Sequence, residues 1–265
     1  DRDVGNNCYE ISNQGQLYWF ANQVNTVNSS INAKLTADIT INSGVLNEKG
    51  ELNTGANFTP WTLIGTNTKP FTGTFDGNNK TISGLYINVT ADYVGLFGCV
   101  GNGGTVKNVT LADSYVSGAN YVGGICGQNK CGTLQNCHNT GKVSGKSYVG
   151  GVCGCNISGA VQESYNTGKV FGNNNFVGGV CGQNQGNVKG CYNTGAVTGK
   201  SQVGGVCGGT SSTGCYYLDT SGTDSKGGIS KTLAEFQSGE VAFLLQKALD
   251  DAATAAHKPT TQVWG

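Results

Sequence analysis

Between residues 93 and 207 the apolar side chains come in short bursts, set apart by Gly, Asn and Ser. One burst keeps returning: Val-Gly-Gly-(Ile/Val)-Cys-Gly at 122–127, 149–154, 177–182 and 203–208. Its cysteines, Cys126, Cys153, Cys181 and Cys207, are 27, 28 and 26 residues apart. Self-similarity at such a period marks a stack of repeats, each burying its apolar side on its neighbours. Residues 148–175 show the unit well. Three β-prone pieces, 148–153, 160–165 and 168–171, alternate with turn formers. Three strands of about 4–6 residues and their turns use up the period. Helical spacing is absent, and Gly at this density opposes helix. The pattern predicts an all-β fold, a right-handed parallel β-helix with about 27 residues per coil. The hand follows from the general preference for right-handed parallel crossovers.

Aligned copies give columns that should stack coil on coil, about 4.8 Å apart. Three are aliphatic: Val106, Leu134, Val161, Val188; then Val116, Val143, Val170, Val197; then Ile125, Val152, Val180, Val206. Two hold cysteine: Phe97, Cys126, Cys153, Cys181, Cys207, and Val109, Cys137, Ser164, Cys191, Cys215. Val and Ser stand in freely for Cys in the second, so it reads as a tight interior filled by small side chains rather than as a thiolate site. Asn139, Asn166 and Asn193 form a further column, which can hydrogen-bond along the stack. The glycines two residues on, Gly141, Gly168 and Gly195, are expected to take positive φ.

Outside the repeats, 31–41 alternates like an early coil. Residues 61–65, 71–76 and 85–89 make further irregular coils, with a turn at 76–79. Leu17, Phe20, Ala21 and Val24 recur at helical spacing behind Asn13 and Gln16, a capping pattern. Thr232 and Glu235 form a second capping pattern, and Val241, Leu244, Leu245, Ala248 and Leu249 give an amphipathic stripe. A solenoid must shield its open ends, so both helices are expected as caps. The expected organisation is one continuous domain. It comprises a helical cap at 1–30, irregular coils at 31–92, the repeat β-helix at 93–222, and a helical cap and tail at 223–265.

Composition narrows the function. Lys+Arg and Asp+Glu balance at 16 each, and charged residues make up 12% of the chain. Such a chain lacks the basic footprint of a nucleic-acid binder. No apolar run is long enough for membrane insertion. Residues 1–10 do not read as a signal peptide, which suits a processed or excised piece of a larger parent polypeptide.

The core Gly95-Leu96-Phe97-Gly98, followed by Gly124-Ile125-Cys126-Gly127 and its three successors, resembles the GLUG motif. The segments around 71–85 and 238–243, with 263–265, resemble those that flank such arrays in large secreted or cell-surface proteins of gut bacteria. The resemblance implies an extracellular or cell-surface module of adhesin-like type. GLUG arrays also occur in immunoglobulin-A-cleaving zinc peptidases. This chain departs from those: its histidines are His138 and His257 alone, and it has no His-Glu-X-X-His.

Candidate chemistry is sparse. Residues 141–147 and 195–201 mimic a phosphate loop, but no helix pattern follows. Cys131 and Cys155 fall outside the two cysteine columns and are candidates for exposed thiols or a cross-coil disulfide. Neighbouring column cysteines sit at a spacing compatible with bonding, although parallel side chains would have to twist together. Cys153-Gly-Cys155 is a weak metal signal, because zinc wants four ligands at firm spacing; neither a metal nor any other cofactor is expected. Thr140, Thr167 and Thr194 form a single file, not the paired files of an ice-binding face. A carbohydrate-active enzyme would need clustered acids such as Asp76, Asp92 and Asp113. From 121 to 207, however, the only acid is Glu163. The candidate ligand-binding face is His138, Tyr165, Tyr192 and Tyr216. Alternation points these outward, where they would meet a host glycan or protein. The plainer reading is that they stabilise the sheet. The expectation is a non-catalytic module acting in adhesion, ligand binding or spacing, with the enzyme as its alternative.

Overall fold

The computed structural model describes residues 2–3, 8–221 and 228–256. Expectations attached to His257 and to 263–265 lie outside the described residues. Each repeat makes one circuit of a parallel β-helix, and its strands pair with the equivalent strands one circuit above and below. The circuit has three sides. One is a sheet of 15 strands, one a sheet of five and one a sheet of four. In the four-stranded sheet Asn120–Gly123, Ser147–Gly150, Asn175–Gly178 and Ser201–Gly204 stack in that order. Cys126 pairs with Cys153, Cys153 with Cys181, and Cys181 with Cys207, one residue of the file per coil.

The expected piece 148–153 is split between two sides. Ser147–Gly150 ends one side, and Cys153–Gln162 begins the long sheet. Gly151 turns the corner between them because nothing larger fits. A Cβ there would lie 2.3 Å from both the Asn166 side chain and the Gly179 carbonyl.

All three aliphatic columns and both cysteine columns run through the interior as expected. Their residues are buried, Val180 and Cys181 completely. Burying each Val contributes roughly 1.5–3 kcal/mol, and in a stack these terms accumulate between neighbouring coils.

Asn139, Asn166 and Asn193 are fully buried. Asn139 Nδ2 donates to Asn166 Oδ1 at 2.8 Å, and Asn166 Nδ2 to Asn193 Oδ1 at 2.8 Å. Each Nδ2 also donates to the carbonyl two residues on, that of Gly141, Gly168 or Gly195. Those glycines do not take the positive φ expected of them. Crowding explains them instead: a Cβ on Gly168 would lie 1.9 Å from the Gly141 carbonyl oxygen. A second buried ladder, absent from the sequence reading, joins Asn129 to Asn156 and Asn156 to Asn184 at 2.9 Å each. The turn expected at 76–79 is a bend inside one long strand, Thr74–Ser83. Asn78 and Asn79 are left-handed there (φ 51° and 57°), and Asp76 Oδ1 accepts the Asn78 amide at 2.8 Å.

The N-terminal helix α1, Gln14–Thr26, buries Leu17, Phe20, Ala21 and Val24, the four residues read from spacing. Asn13 caps it by accepting from the Gln16 amide, and Gln16 reaches back to the Ser12 amide. Phe20 packs against Phe71 and Phe75, so α1 closes the core at this end. The other end differs from expectation. Helices α2, Leu233–Gln237, and α3, Glu240–Ala256, form with the capping box at Thr232 and Glu235. Yet α3 lies on the side of the long sheet, with Val241 and Leu245 against Tyr216. Tyr217 closes the core instead. It takes the next place after Asn193 in the asparagine file and lays its ring over Gly205.

Candidate functional site

The outer face of the long sheet carries the aromatic file read from the sequence. His138 pairs with Tyr165, Tyr165 with Tyr192, and Tyr192 with Tyr216. The His138 and Tyr165 rings stack at 3.9 Å, and those of Tyr165 and Tyr192 at 4.8 Å, with planes tilted by 16° and 15°. Rings stacked in this way cover one another's faces and leave mainly edges to solvent. A sugar ring packs on an aromatic face, so the interior of this file offers no platform.

The upper half is covered as well. Phe236 of α2 meets Tyr192 at 6.0 Å, and Tyr216, at 8% exposure, lies beneath Val241 and Leu245. Thr167, Thr194, Tyr192, Phe236, Val241 and Leu245 line a groove of about 390 Å³ between sheet and helices. Burial holds His138 down to about 4, so its ring is neutral at pH 7. Burial also raises the phenols of Tyr165 and Tyr192. Tyr192 and Tyr216 are therefore a seat for the chain's own C-terminal helices, and Tyr165 and His138 continue that file below them.

A second aromatic ladder, missed in the sequence, runs up the four-stranded sheet. Tyr93, Tyr121, Tyr148 and Phe176 stack at 4.8, 4.6 and 5.0 Å, with planes within 4°, 4° and 8° of parallel. All four are left-handed, with φ between 58° and 62°. That conformation costs an L-residue roughly 1–2 kcal/mol. Ring stacking offsets it by about 0.5–1.5 kcal/mol per pair. The signal was present: each copy starts with this residue, aromatic in four copies and Gln202 in the fifth.

The cysteine expectations divide. Cys131, Cys155 and the column cysteines form no disulfide. Cys131 is exposed, but Cys155 is buried and its Sγ lies 3.8 Å from Gln183 Oε1. Cys155 belongs to a file of its own, Cys99, Gln128, Cys155 and Gln183, in which thiol and carboxamide alternate. Burial pushes its thiol up to about 12. Among the described residues, no group of three or more His, Cys, Asp and Glu gathers as a metal site would require.

The three candidate catalytic acids serve the backbone. Asp113 accepts the amides of Gly44, Val45 and Leu46 at 2.9, 3.2 and 2.8 Å. Asp92 accepts the amide and the side chain of Asn120. Asp76 accepts from Asn78 and Asn108 and pairs with Lys107 at 3.3 Å. Burial opposes ionisation of Asp76, but these contacts outweigh it and hold the carboxyl below its usual value. The phosphate-loop mimic at 141–147 forms strands Lys142–Gly145 and Ser147–Gly150, with no helix to present amides to an anion.

The family model of the GLUG motif matches residues 118–144, which span one corner tyrosine, the Val-Gly-Gly-Ile-Cys-Gly burst and the first asparagine of the ladder. That copy of the repeat matches the GLUG motif. Halomucin of Haloquadratum walsbyi is 38% identical over 136 residues, 51% of this chain and 1% of that protein. A protein of Evansella cellulosilytica, described as a candidate Gly-rich membrane protein, is 38% identical over 79 residues, 29% of this chain and 9% of that protein. The chain thus spans a small fraction of the curated relatives it matches. Among solved structures, a Bacteroides ovatus protein described as a candidate immunoglobulin A1 protease has the same fold. Its TM-score is 0.68 at 19% identity, over 91% of this chain and 87% of that one. Among the described residues, no helix is long and apolar enough to cross a membrane.

Proposed function

We propose that this GLUG β-helix is a non-catalytic module of a larger extracellular or cell-surface protein, working as a rigid spacer that holds other segments apart. One observation carries the reading: Asp76, Asp92 and Asp113 each spend their carboxylate on holding loops and corners. A general acid or nucleophile needs a carboxyl free to meet substrate. The relatives support the setting, since one is halomucin and the other is described as a candidate membrane protein. Both aromatic ladders suit the spacer role, because stacked rings stiffen the column and leave few faces open to a sugar.

The test has two arms. The purified chain is incubated with a panel of polysaccharides, mucins and immunoglobulins, and separately screened on a glycan array printed with host matrix proteins. No turnover and no saturable binding is the expected result. Turnover that disappears when Asp76, Asp92 and Asp113 are all replaced by Ala would establish the enzyme instead. Binding lost on Tyr165→Ala would make the module an adhesin.

A further inference from the structure

Six buried cysteines lie next to another cysteine one coil away. Four form the file Cys126, Cys153, Cys181 and Cys207, and two form the pair Cys191 and Cys215. The thiols of Cys126, Cys153, Cys181 and Cys207 follow one another along the buried file, each beside the next. In the second pair, Cys215 Sγ accepts the Cys191 amide at 3.3 Å. Equivalent residues on paired strands lie about 4.8 Å apart, inside the Cα range of a disulfide. The Cβ atoms start about as far apart and must close by about 1 Å to reach the usual disulfide separation, so the side chains have to twist together. Burial adds a second barrier by keeping oxidants from the thiols.

Burial is not equally secure along the stack. Below Cys181 the file is held by continuous strand ladders. The coil above is anchored by the ladders of Ser201–Gly204 and Tyr216–Tyr217, but between them it meets its neighbour through single bridges, Cys181 with Cys207 and Lys189 with Thr213. Between Cys207 and Cys215 the chain runs as an irregular segment in which Thr210, Ser211 and Thr213 are exposed. Few ladder bonds and exposed residues favour a local opening of this segment. Such an opening uncovers Cys207 and Cys215 together.

We propose that Cys181–Cys207 and Cys191–Cys215 are two latent cross-coil disulfides, a redox staple that fastens the last GLUG coil to the one below. The oxidant is a small-molecule disulfide. The Cys207 thiolate, having lost its proton, attacks one sulfur of that disulfide, and the other sulfur leaves as a thiol. The Cys181 thiolate then attacks the Cys207 sulfur, and the second half leaves as a thiol. One cysteine disulfide forms, the oxidant's disulfide bond breaks, and the two cysteine protons end on the two released thiols. The pair at Cys191 and Cys215 reacts in the same way. Cys215 suits the first attack, because it adjoins the exposed stretch at 210–213.

The test uses the folded chain carrying Cys8→Ser and Cys131→Ser, which removes the two thiols outside the buried set. It is incubated with oxidised glutathione, quenched with N-ethylmaleimide, and read by intact mass and peptide mapping. The expected product has lost four hydrogen atoms and carries no glutathione. Its cross-linked peptides join Cys181 to Cys207 and Cys191 to Cys215. Its melting midpoint rises by several degrees and returns on adding dithiothreitol. A Cys207→Val, Cys215→Val variant should show no mass loss, and Val109 already stands in the Cys215 file. All six cysteines remaining as thiols would overturn the proposal. So would stable glutathione adducts, or a bond between Cys153 and Cys181.

Discussion

Asn166→Ala tests the buried asparagine ladder directly. Its carboxamide is fully buried, accepts from Asn139, and donates to Asn193 and to the Gly168 carbonyl. Truncation leaves one Asn139 N–H and the Gly168 carbonyl without these partners in a space closed to water. Each orphan costs about 1–3 kcal/mol, so the expected loss is about 4 kcal/mol. That is a large share of the roughly 5–15 kcal/mol that stabilises a typical domain. Urea unfolding followed by circular dichroism reads the change as a lower midpoint. Asn174→Ala, at an exposed turn, is the control and should stay within about 0.5 kcal/mol of the parent. Asn166→Asp sharpens the test. It keeps the acceptor, removes both donors, and aims a charge at two oxygens. At pH 7 it should be worse than Ala, with part of the loss recovered as the carboxyl protonates in acid. An Asn166→Ala midpoint equal to that of the control would refute the ladder as a source of stability.

Other outcomes follow from the same geometry. Val180→Asp buries an unpaired charge in the completely enclosed file between Val152 and Val206, and should abolish cooperative thermal unfolding. His138 titrates near 4 in the fold against about 6.5 when unfolded. The unfolded chain therefore takes up a proton first as pH falls, and about 3 kcal/mol of stability should be lost between pH 6.5 and 4. His138→Gln should flatten that part of the pH–stability curve. Asp113→Ala releases the amides of Gly44, Val45 and Leu46, so limited proteolysis should cut near residue 45 sooner while the melting midpoint shifts little.

The interior was legible because one residue type recurs at each depth once per coil. Val106, Leu134, Val161 and Val188 announce their shared file by chemistry alone. Cys155 was misplaced for the converse reason. Its neighbours in the file are Gln128 and Gln183, and alternating residue types hide a column that only pairing reveals. The glycines of the Asn-Thr-Gly phrase were read as a need for backbone freedom when the need was for space. Composition does not distinguish the two. Tyr121 and Tyr148 escaped notice as a ladder because left-handed φ is rare for aromatic residues, and alternation rules assume an extended backbone. The stripe on α3 told that one face of the helix is buried, but not that the burying surface is Tyr216 at the side of the stack.

One residue per file per circuit gives the molecule a unit of growth. Gaining or losing a whole circuit moves the two ends by about 4.8 Å and leaves each cysteine, asparagine and aromatic file unbroken. A fractional change sets Asn against Val at several depths at once. Small differences in copy length are taken up locally. The 28-residue step from Cys153 to Cys181 becomes a 27-residue step from Ala160 to Asn187, through the shift between Ile157 and Ala160. Recombination between copies therefore yields folded products of graded length, and the stack can lengthen in discrete increments without redesign of its core.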